Sequence, residues 1–590
     1  MSSQDSSARP KPGSRIPLPA NFPVVWENPA DAKHMWTLDR VHGGEVVSAL
    51  TVSLSRAVLT TSFSQAAAQY AIPIRMETRH INGYSFGTVV PVSMPPLLVQ
   101  RLMSGLQQIA PDFVDRMMSK GMAKGNAETQ ARLQKAADGL QERWDSYWLP
   151  AIQREIAFWE GIDLQKADSA ALLVYLNASL PRAAAIWAIH FEIVFPVGLA
   201  IVRFDDLYQQ LFPNSGSLDG QRLLLGIDNS FLAGDRALWA LSRRAAEQPE
   251  VQAALLASDL ARIPQRLAAT ETGRAFWTEI EAYLTQYGRR GQKTDGFRED
   301  SWVENPTPAL LLLRAYLRHP DKNPVTQQEN LRRQQEEALA GARLHLAGRD
   351  QATRAQFEAY LLSAYAGMFL HEEHNFWIDQ RTMYELRRLV LACGRSLAKD
   401  GAIGSPDDIW HMTLEEMQAA LAGQPAKGLQ ARIDQRKETL EHFRTVEPPQ
   451  AIGTIPLLAP PKDNPMLATL AKMDGIDRSG EKSAANELLG NAGSTGTVQG
   501  RARVILDLAD AHQLQQGEIL VARTTMPPWT PLFGVAAGLV TETGGMLSHA
   551  AVVAREYGIP AVVGVADATV RIRTGQMIEV DGSAGRVRLL

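Results

Sequence analysis

The sequence predicts a multidomain α+β protein: a large, mainly α-helical domain with a mixed N-terminal segment, joined by a Pro-rich linker to a small α/β domain. Three observations predict it. First, a chain of 590 residues is too long for one hydrophobic core. Second, from about residue 97 to 445 apolar positions recur at three and four with charged opposite faces, as in "QARLQKAADGLQERWDSYWLPAIQREIAFW". Third, after about residue 485 the chain changes to short β-branched runs such as "GEILVARTT" and "IPAVVGV", bounded by Gly, Asp and Pro.

Taken in order, residues 1–22 are polar and Pro/Ser-rich with no apolar core, and are expected to form a disordered arm and not a secretion signal. Residues 23–97 read as mixed and β-rich, the first part of a helical domain over 23–445. The most apolar stretch, "AAAIWAIHFEIVFPVGLAIV" (183–202), contains His190 and Glu192 and is interrupted by Pro196. It is expected to be a buried helix pair and not a membrane span. The linker covers 446–485, opening with six prolines in the twenty residues from 447 to 466. Residues 486–590 form the small α/β domain.

Composition narrows the function. A hydrophobic fraction of 45%, a charged fraction of 21% and a net charge of −4 describe an ordinary soluble protein. No Lys/Arg cluster suggests nucleic acid or a membrane as partner, so a cytoplasmic protein is expected. The single cysteine, Cys393, lies in a helical stretch and is expected to be a buried, inert thiol.

The chemistry concentrates in "TETGGMLSHA" (541–550). Gly544 and Gly545 allow positive φ and close approach of the backbone to a ligand. Ser548 is a good N-cap for a helix running to Tyr557 and ended by Gly558 and Pro560. His549 then sits among free backbone N–H groups at the positive end of a helix dipole, a place that favours an anion such as a phosphoryl group.

The run "ETGGMLSHAAVVAREYGIPAVVGV" resembles the phosphohistidine motif of the swivelling domain in phosphoenolpyruvate-utilising enzymes, a family that includes phosphoenolpyruvate synthase, pyruvate phosphate dikinase, rifampin phosphotransferase and the phenylphosphate synthases. The resemblance covers Gly517 to about Val587. It implies that His549 carries phosphate, that Gly544, Gly545 and Ser548 cradle it, and that Thr543 matches the threonine often found there. Members of the family usually also carry an ATP-grasp domain of their own, and these 590 residues contain no stretch resembling one. The expected partner is therefore a separate ATP-grasp nucleotide-binding subunit, with Mg²⁺ entering with ATP mainly on that subunit. This split resembles the phenylphosphate synthases, which implies a small aromatic hydroxyl, a phenol or alkylphenol, as acceptor, with AMP and phosphate as co-products. A rifampin-like antibiotic phosphotransferase component, and a phosphocarrier or regulatory protein, are the alternatives. The pattern Trp36-x-x-Asp39-x-x-His42 resembles the start of the acceptor-binding chain.

Candidates for acceptor chemistry lie in two helical stretches. "HEEHNFWIDQ" places His371, His374 and Asn375 at helical spacing, with Arg387 and Arg388 following. A phenol must lose its proton as it attacks phosphorus, so a His or Glu base helps, and cations suit a phosphoryl group in flight. The histidines are three apart where the zinc motif HExxH needs four, so no metal site is expected. In the second stretch His190 lies with Trp187 among aromatic residues, as an apolar acceptor pocket would require.

Overall fold

The structure is a computed structural model that describes residues 11–39, 44, 46–91, 97–257, 259–291, 297–458, 475, 484, 486–506, 508–526 and 529–590. The chain forms two compact units, each assembled from three segments. The first takes Met1–Leu133, Ala157–Glu192 and Leu386–Ala468; the second takes Gln134–Ile156, Ile193–Glu385 and Thr469–Leu590. The architecture is mainly helical, with a C-terminal α/β domain inside the second unit.

In the first unit four antiparallel strands lie in the order β2-β3-β1-β4. They are β1 (Met35–Leu38), β2 (Ile74–Ile81), β3 (Tyr84–Pro91) and β4 (Ala451–Gly453). β2 and β3 form a hairpin across Asn82 and Gly83, both at positive φ (54° and 84°). This is the Asn-Gly turn whose twist matches the flanking strands. The sheet buries Phe22, Trp36, Phe86 and Ile452 together with Phe443 and Val446. The Tyr84 hydroxyl sits 2.9 Å from the carbonyls of both Phe443 and Val446.

Three expectations need correction here. Residues 1–10 lie outside the described residues, but the rest of the arm is held: Phe22 is fully buried and Arg15 bridges Thr454. An aromatic residue near the end of a polar segment has enough apolar area to anchor it. Within the span expected as linker, Ala451–Gly453 is a sheet strand paired with β1; its β-branched Ile452 has a core to enter. The β-rich segment contains a 21-residue helix, Ala49–Gln69. Its Ser and Thr residues weaken helix propensity, but Ser48 caps the start and Leu50, Leu54, Val58 and Ala66 give one buried face. Burial outweighs propensities of a few tenths of a kcal/mol per residue.

The apolar stretch is a single 43-residue helix, Ser169–Leu211, and not a helix pair. By length and composition it could cross a membrane, yet 56% of its most apolar window is buried inside the protein. Pro196 lies within it and has no N–H for the Glu192 carbonyl one turn back, which in a helix interior costs about 3 kcal/mol. The Tyr70 hydroxyl donates to that same carbonyl at 2.7 Å, so the helix continues past the proline. Tyr70→Phe is expected to lower stability by about 1–2 kcal/mol in chemical denaturation. The loss should shrink in a Pro196→Ala background, where a backbone N–H again reaches Glu192.

The second unit joins a helical body to the α/β domain. Helices Ser230–Ala246, Pro249–Leu256, Glu271–Tyr287 and Thr307–Arg318 share a core containing Leu238, Phe276, Trp302 and Leu313. Beside them the helix Gln351–His374 passes directly into a π-helical turn, Asn375–Gln380, and then into Arg381–Lys399. The α/β domain has an eight-stranded sheet in the order β5-β12-β11-β7-β8-β9-β10-β6. Its strands are β5 (Glu487–Leu489), β6 (Asn491–Ser494), β7 (Thr497–Val504), β8 (Ile519–Ala522), β9 (Gly538–Thr541), β10 (Ala561–Val563), β11 (Met577–Asp581) and β12 (Arg586–Leu589). Strands β7 to β10 are parallel. Leu520, Ala522, Leu539 and Val563 enter one core, and Ile519, Val521, Val540 and Val562 enter the other. Strands buried on both faces read as continuous apolar runs, which is why these segments lack polar alternation.

Candidate active site

The loop 542–548 leaves the carboxyl end of β9 and leads into the helix His549–Glu556. In open α/β sheets this edge is where ligands bind. Gly544 has φ +113°, and a Cβ placed there would lie 2.7 Å from Ser548 Oγ. Ser548 adopts the extended N-cap conformation; its Oγ donates to the Gly545 carbonyl (2.8 Å) and accepts from the Ala551 N–H (3.4 Å). Thr543 is anchored through its N–H to the Arg523 carbonyl (3.1 Å). Arg555, on the same helix, is buried and donates to the Gly493 and Met546 carbonyls at 2.7 and 2.8 Å. It ties the loop to β6, and burial lowers its pKa to about 10.

His549 faces the helical body. Its Nδ1 is 3.7 Å from Glu372 Oε2, and its Nε2 is buried with no hydrogen-bond partner among the described residues. Burial opposes ionisation of Glu372, but the neighbouring imidazoles of His549, His371 and His374 outweigh this and hold the carboxyl below its usual range. His371 Nε2 lies 3.9 Å from Glu372 Oε1. Burial pushes the His371 pKa down, against the pull of Glu372, which favours the neutral imidazole that a general base needs. The neighbouring Glu373 serves the fold and not the cleft, since it accepts from the Ser230 N–H and hydroxyl at a helix start and from Trp377 Nε1 (3.1 Å).

The histidine helix is docked on the body at two further points. The Tyr557 hydroxyl bonds the Asp235 carboxylate, and Gln327 Nε2 donates to the Glu556 carbonyl at 3.0 Å. Burial pushes Asp235 up to about 6, against the pull of Tyr557, Arg290 and Arg236. Between helix and body runs a narrow cleft lined by Phe231, Leu232, Met368, Glu372, Val552 and Glu556. Glu556 Oε2 is buried without a partner among the described residues. Burial raises its pKa to about 8, helped by Glu372 and opposed by Arg555. Since that value is raised above the usual carboxylate range, the folded state binds a proton that the unfolded state releases. Stability from this group is full below the ordinary carboxylate pKa and is lost as pH rises toward about 8. Glu556→Gln should flatten that decline in melting temperatures measured from about pH 5 to 9.

The residues expected from sequence divide between the units. His549, Ser548, Gly545, Gly544, Thr543, His371, His374 and Asn375 belong to the second unit, where His371 and His549 meet around Glu372. His374 is buried, with Nδ1 2.5 Å from the Leu370 carbonyl, and it adds to the charge around Glu372. Asn375 opens the π-helical turn, and its Oδ1 is buried without a partner among the described residues. Trp187, His190, Arg387 and Arg388 belong to the first unit. There Trp187 and His190 pack with ring centroids 4.8 Å apart, and the Arg387 guanidinium lies over Trp410. His42 lies outside the described residues. Cys393 is buried, and burial pushes its thiol up to about 12.

Sequence reasoning missed Glu372, Glu556, Asp235 and Tyr557. Only Glu372 left a local signal, as a carboxylate between histidines at the end of its helix, a signal it shares with Glu373.

Comparison with known proteins agrees with this geometry. Residues 514–585 match the family described as PEP-utilising enzyme, mobile domain, and residues 194–372 match the rifampicin phosphotransferase fourth domain. The chain is 34% identical over 587 residues to chondramide synthase cmdD of Chondromyces crocatus, covering 98% of this chain and 14% of that one. It is 32% identical over 404 residues to the uncharacterized phosphotransferase YvkC of Bacillus subtilis (68% and 47%). It is also 32% identical over 337 residues to a rifampicin phosphotransferase of Streptomyces sviceus (56% and 36%). The chain thus spans less than half the length of each of these relatives. The parallel-stranded domain that presents His549 at a helix start is the part of the chain that matches the mobile-domain model. Residues 514–585 are thus similar to the mobile domain of PEP-utilising enzymes, and residues 194–372 to the fourth domain of rifampicin phosphotransferase.

Proposed function

We propose that this chain is the phosphohistidine and acceptor-binding part of an ATP-dependent phosphotransferase acting on an aromatic hydroxyl. A nucleotide-binding unit of the ATP-grasp type, separate from these 590 residues, transfers the β,γ-pyrophosphoryl group of Mg²⁺-ATP to His549 Nε2 and releases AMP. Water then cleaves the outer phosphoryl group as inorganic phosphate. The domain swings to the helical body, and the acceptor oxygen displaces His549 from phosphorus while its proton passes to a base. His371 is suited to be that base. Separating the two half-reactions keeps the acceptor away from ATP.

The observation that carries this reading is the Nε2 of His549, buried at the docked face of the helical body with no partner among the described residues. A buried polar atom without a partner calls for an explanation, and a phosphoryl group between two surfaces supplies one. The π-helical turn adds support for a hydroxylated acceptor, since Asn375 Oδ1, both amide atoms of Gln380 and Thr382 Oγ1 are buried without partners among the described residues. π turns are frequent at functional sites. The cleft beside His549 has room for on the order of one water, so the acceptor must enter before the domain closes.

The match of residues 194–372 favours a second acceptor, the hydroxyl of a rifampicin-like antibiotic. One experiment separates the two readings: β-³²P-ATP, Mg²⁺ and the nucleotide-binding unit with phenol, p-cresol or rifampicin. Labelled aryl phosphate supports the phenol reading, labelled rifampicin the antibiotic one. Label that stays on the chain with every small molecule favours a phosphocarrier.

A further inference from the structure

We infer that Glu372 is a positioning residue for phosphoryl transfer: its carboxylate stands beside Nδ1 of His549 on the docked face and favours the proton there, leaving Nε2 as the phosphorylated nitrogen. This rests on the reading of His549 as the phosphoryl carrier, and deepens it by placing a working residue on the helical body.

The geometry is specific. Glu372 Oε2 stands 3.7 Å from Nδ1, within ion-pair reach but longer than a hydrogen bond, and Nε2 has no partner among the described residues. The carboxylate belongs to the helical body, whereas the histidine belongs to the mobile-domain fold. Docking therefore creates the pair and undocking breaks it. His371 lies on the other oxygen of Glu372. Glu556, on the histidine's own helix, lines the same cleft. The two carboxyls are pushed apart in pKa, Glu372 down and Glu556 up to about 8, so one carboxylate charge faces the imidazole at neutral pH.

The consequence for the reaction follows from where the electrons go. As the acceptor oxygen bonds phosphorus, the Nε2–P bond breaks and its electron pair returns to Nε2. The acceptor proton leaves to His371 or to water. If Nδ1 keeps its proton, the leaving group is a neutral imidazole and not an imidazolate. A carboxylate on that proton stabilises the phosphoimidazolium from which transfer starts and fixes the ring plane, as carboxylates paired with imidazoles do elsewhere. Because the pair forms only on docking, the phosphoryl group becomes labile where the acceptor is bound and is protected in transit.

The test uses the full chain with ¹⁵N-labelled histidine, the His549 resonances being assigned by their loss in His549→Asn. The unphosphorylated chain is expected to show Nδ1 protonated and Nε2 bare. Glu372→Met should shift both nitrogens toward a mixture of tautomers, and Glu372→Gln, which keeps an oxygen acceptor without charge, should fall between. The chain is then charged chemically with potassium phosphoramidate, and loss of acid-labile phosphate to water is followed by intact mass. Glu372→Met should discharge about 10-fold or more slowly than wild type. An unchanged tautomer in Glu372→Met, or discharge at the wild-type rate, overturns the proposal. A tautomer shift in a chain whose His549 accepts no phosphate keeps the contact but denies it a role in transfer. That result counts against the carrier reading itself.

Discussion

His549→Asn is expected to give a chain that folds normally and carries no phosphate, with transfer to any acceptor reduced by at least about 10⁴-fold. The size follows from the proposed mechanism, in which His549 is the nucleophile of both half-reactions, since residues that act as a unit cost nearly the whole enhancement when one is lost. Asparagine keeps a short polar side chain at the first helical position, behind the Ser548 cap. The body contacts through Tyr557 and Gln327 also remain. The measurement is acid-labile label retained on wild type and variant after identical charging, alongside melting temperatures within a few degrees of each other. Equal label on both would move the phosphorylated residue elsewhere.

Gly544→Val is the second large effect, and it has two causes. The φ of +113° is one that L side chains rarely adopt, and any Cβ would press into Ser548 at 2.7–2.8 Å. Strain of this kind costs about 1–3 kcal/mol, and relief must come from moving Ser548, the cap of the histidine helix. We expect a melting temperature lower by several degrees and charging of His549 slower by about 10²-fold, since a displacement of about 1 Å at a reacting group is enough for that. Gly545→Ala, whose φ is not in that region, should be milder on both measures. Equal losses at the two glycines would mean the loop is sensitive to bulk in general and not to the geometry at Gly544.

How far the sequence could be read follows from which features are local. The histidine helix was legible because its signals lie close together along the chain: a glycine at positive φ, a serine cap, and a Gly-Pro ending. The short apolar runs of the α/β domain were legible for a related reason, since strands buried on both faces need no partner to be recognised. The long helix was not, because the group that satisfies the carbonyl left free by Pro196 is a hydroxyl from Tyr70, more than a hundred residues earlier. The helix Ala49–Gln69 was obscured in the same way, by a core that only the folded chain supplies. At the site, Glu372 lies in the quoted stretch "HEEHNFWIDQ", but the periodic pattern drew attention to the histidines and Asn375. Which of two adjacent glutamates faces His549, and which caps the helix at Ser230, depends on the docked surface. The Tyr557–Asp235 contact joins residues 322 apart in sequence and has no local signature at all.

The central claim is that His549 carries phosphate on this chain. The most direct measurement is intact mass with acid-lability after incubation in β-³²P-ATP and Mg²⁺, with and without the nucleotide-binding unit. The account predicts one acid-labile phosphate per chain, only when that unit is present, and none on His549→Asn. Acid-stable label, or label that survives the substitution, would contradict it.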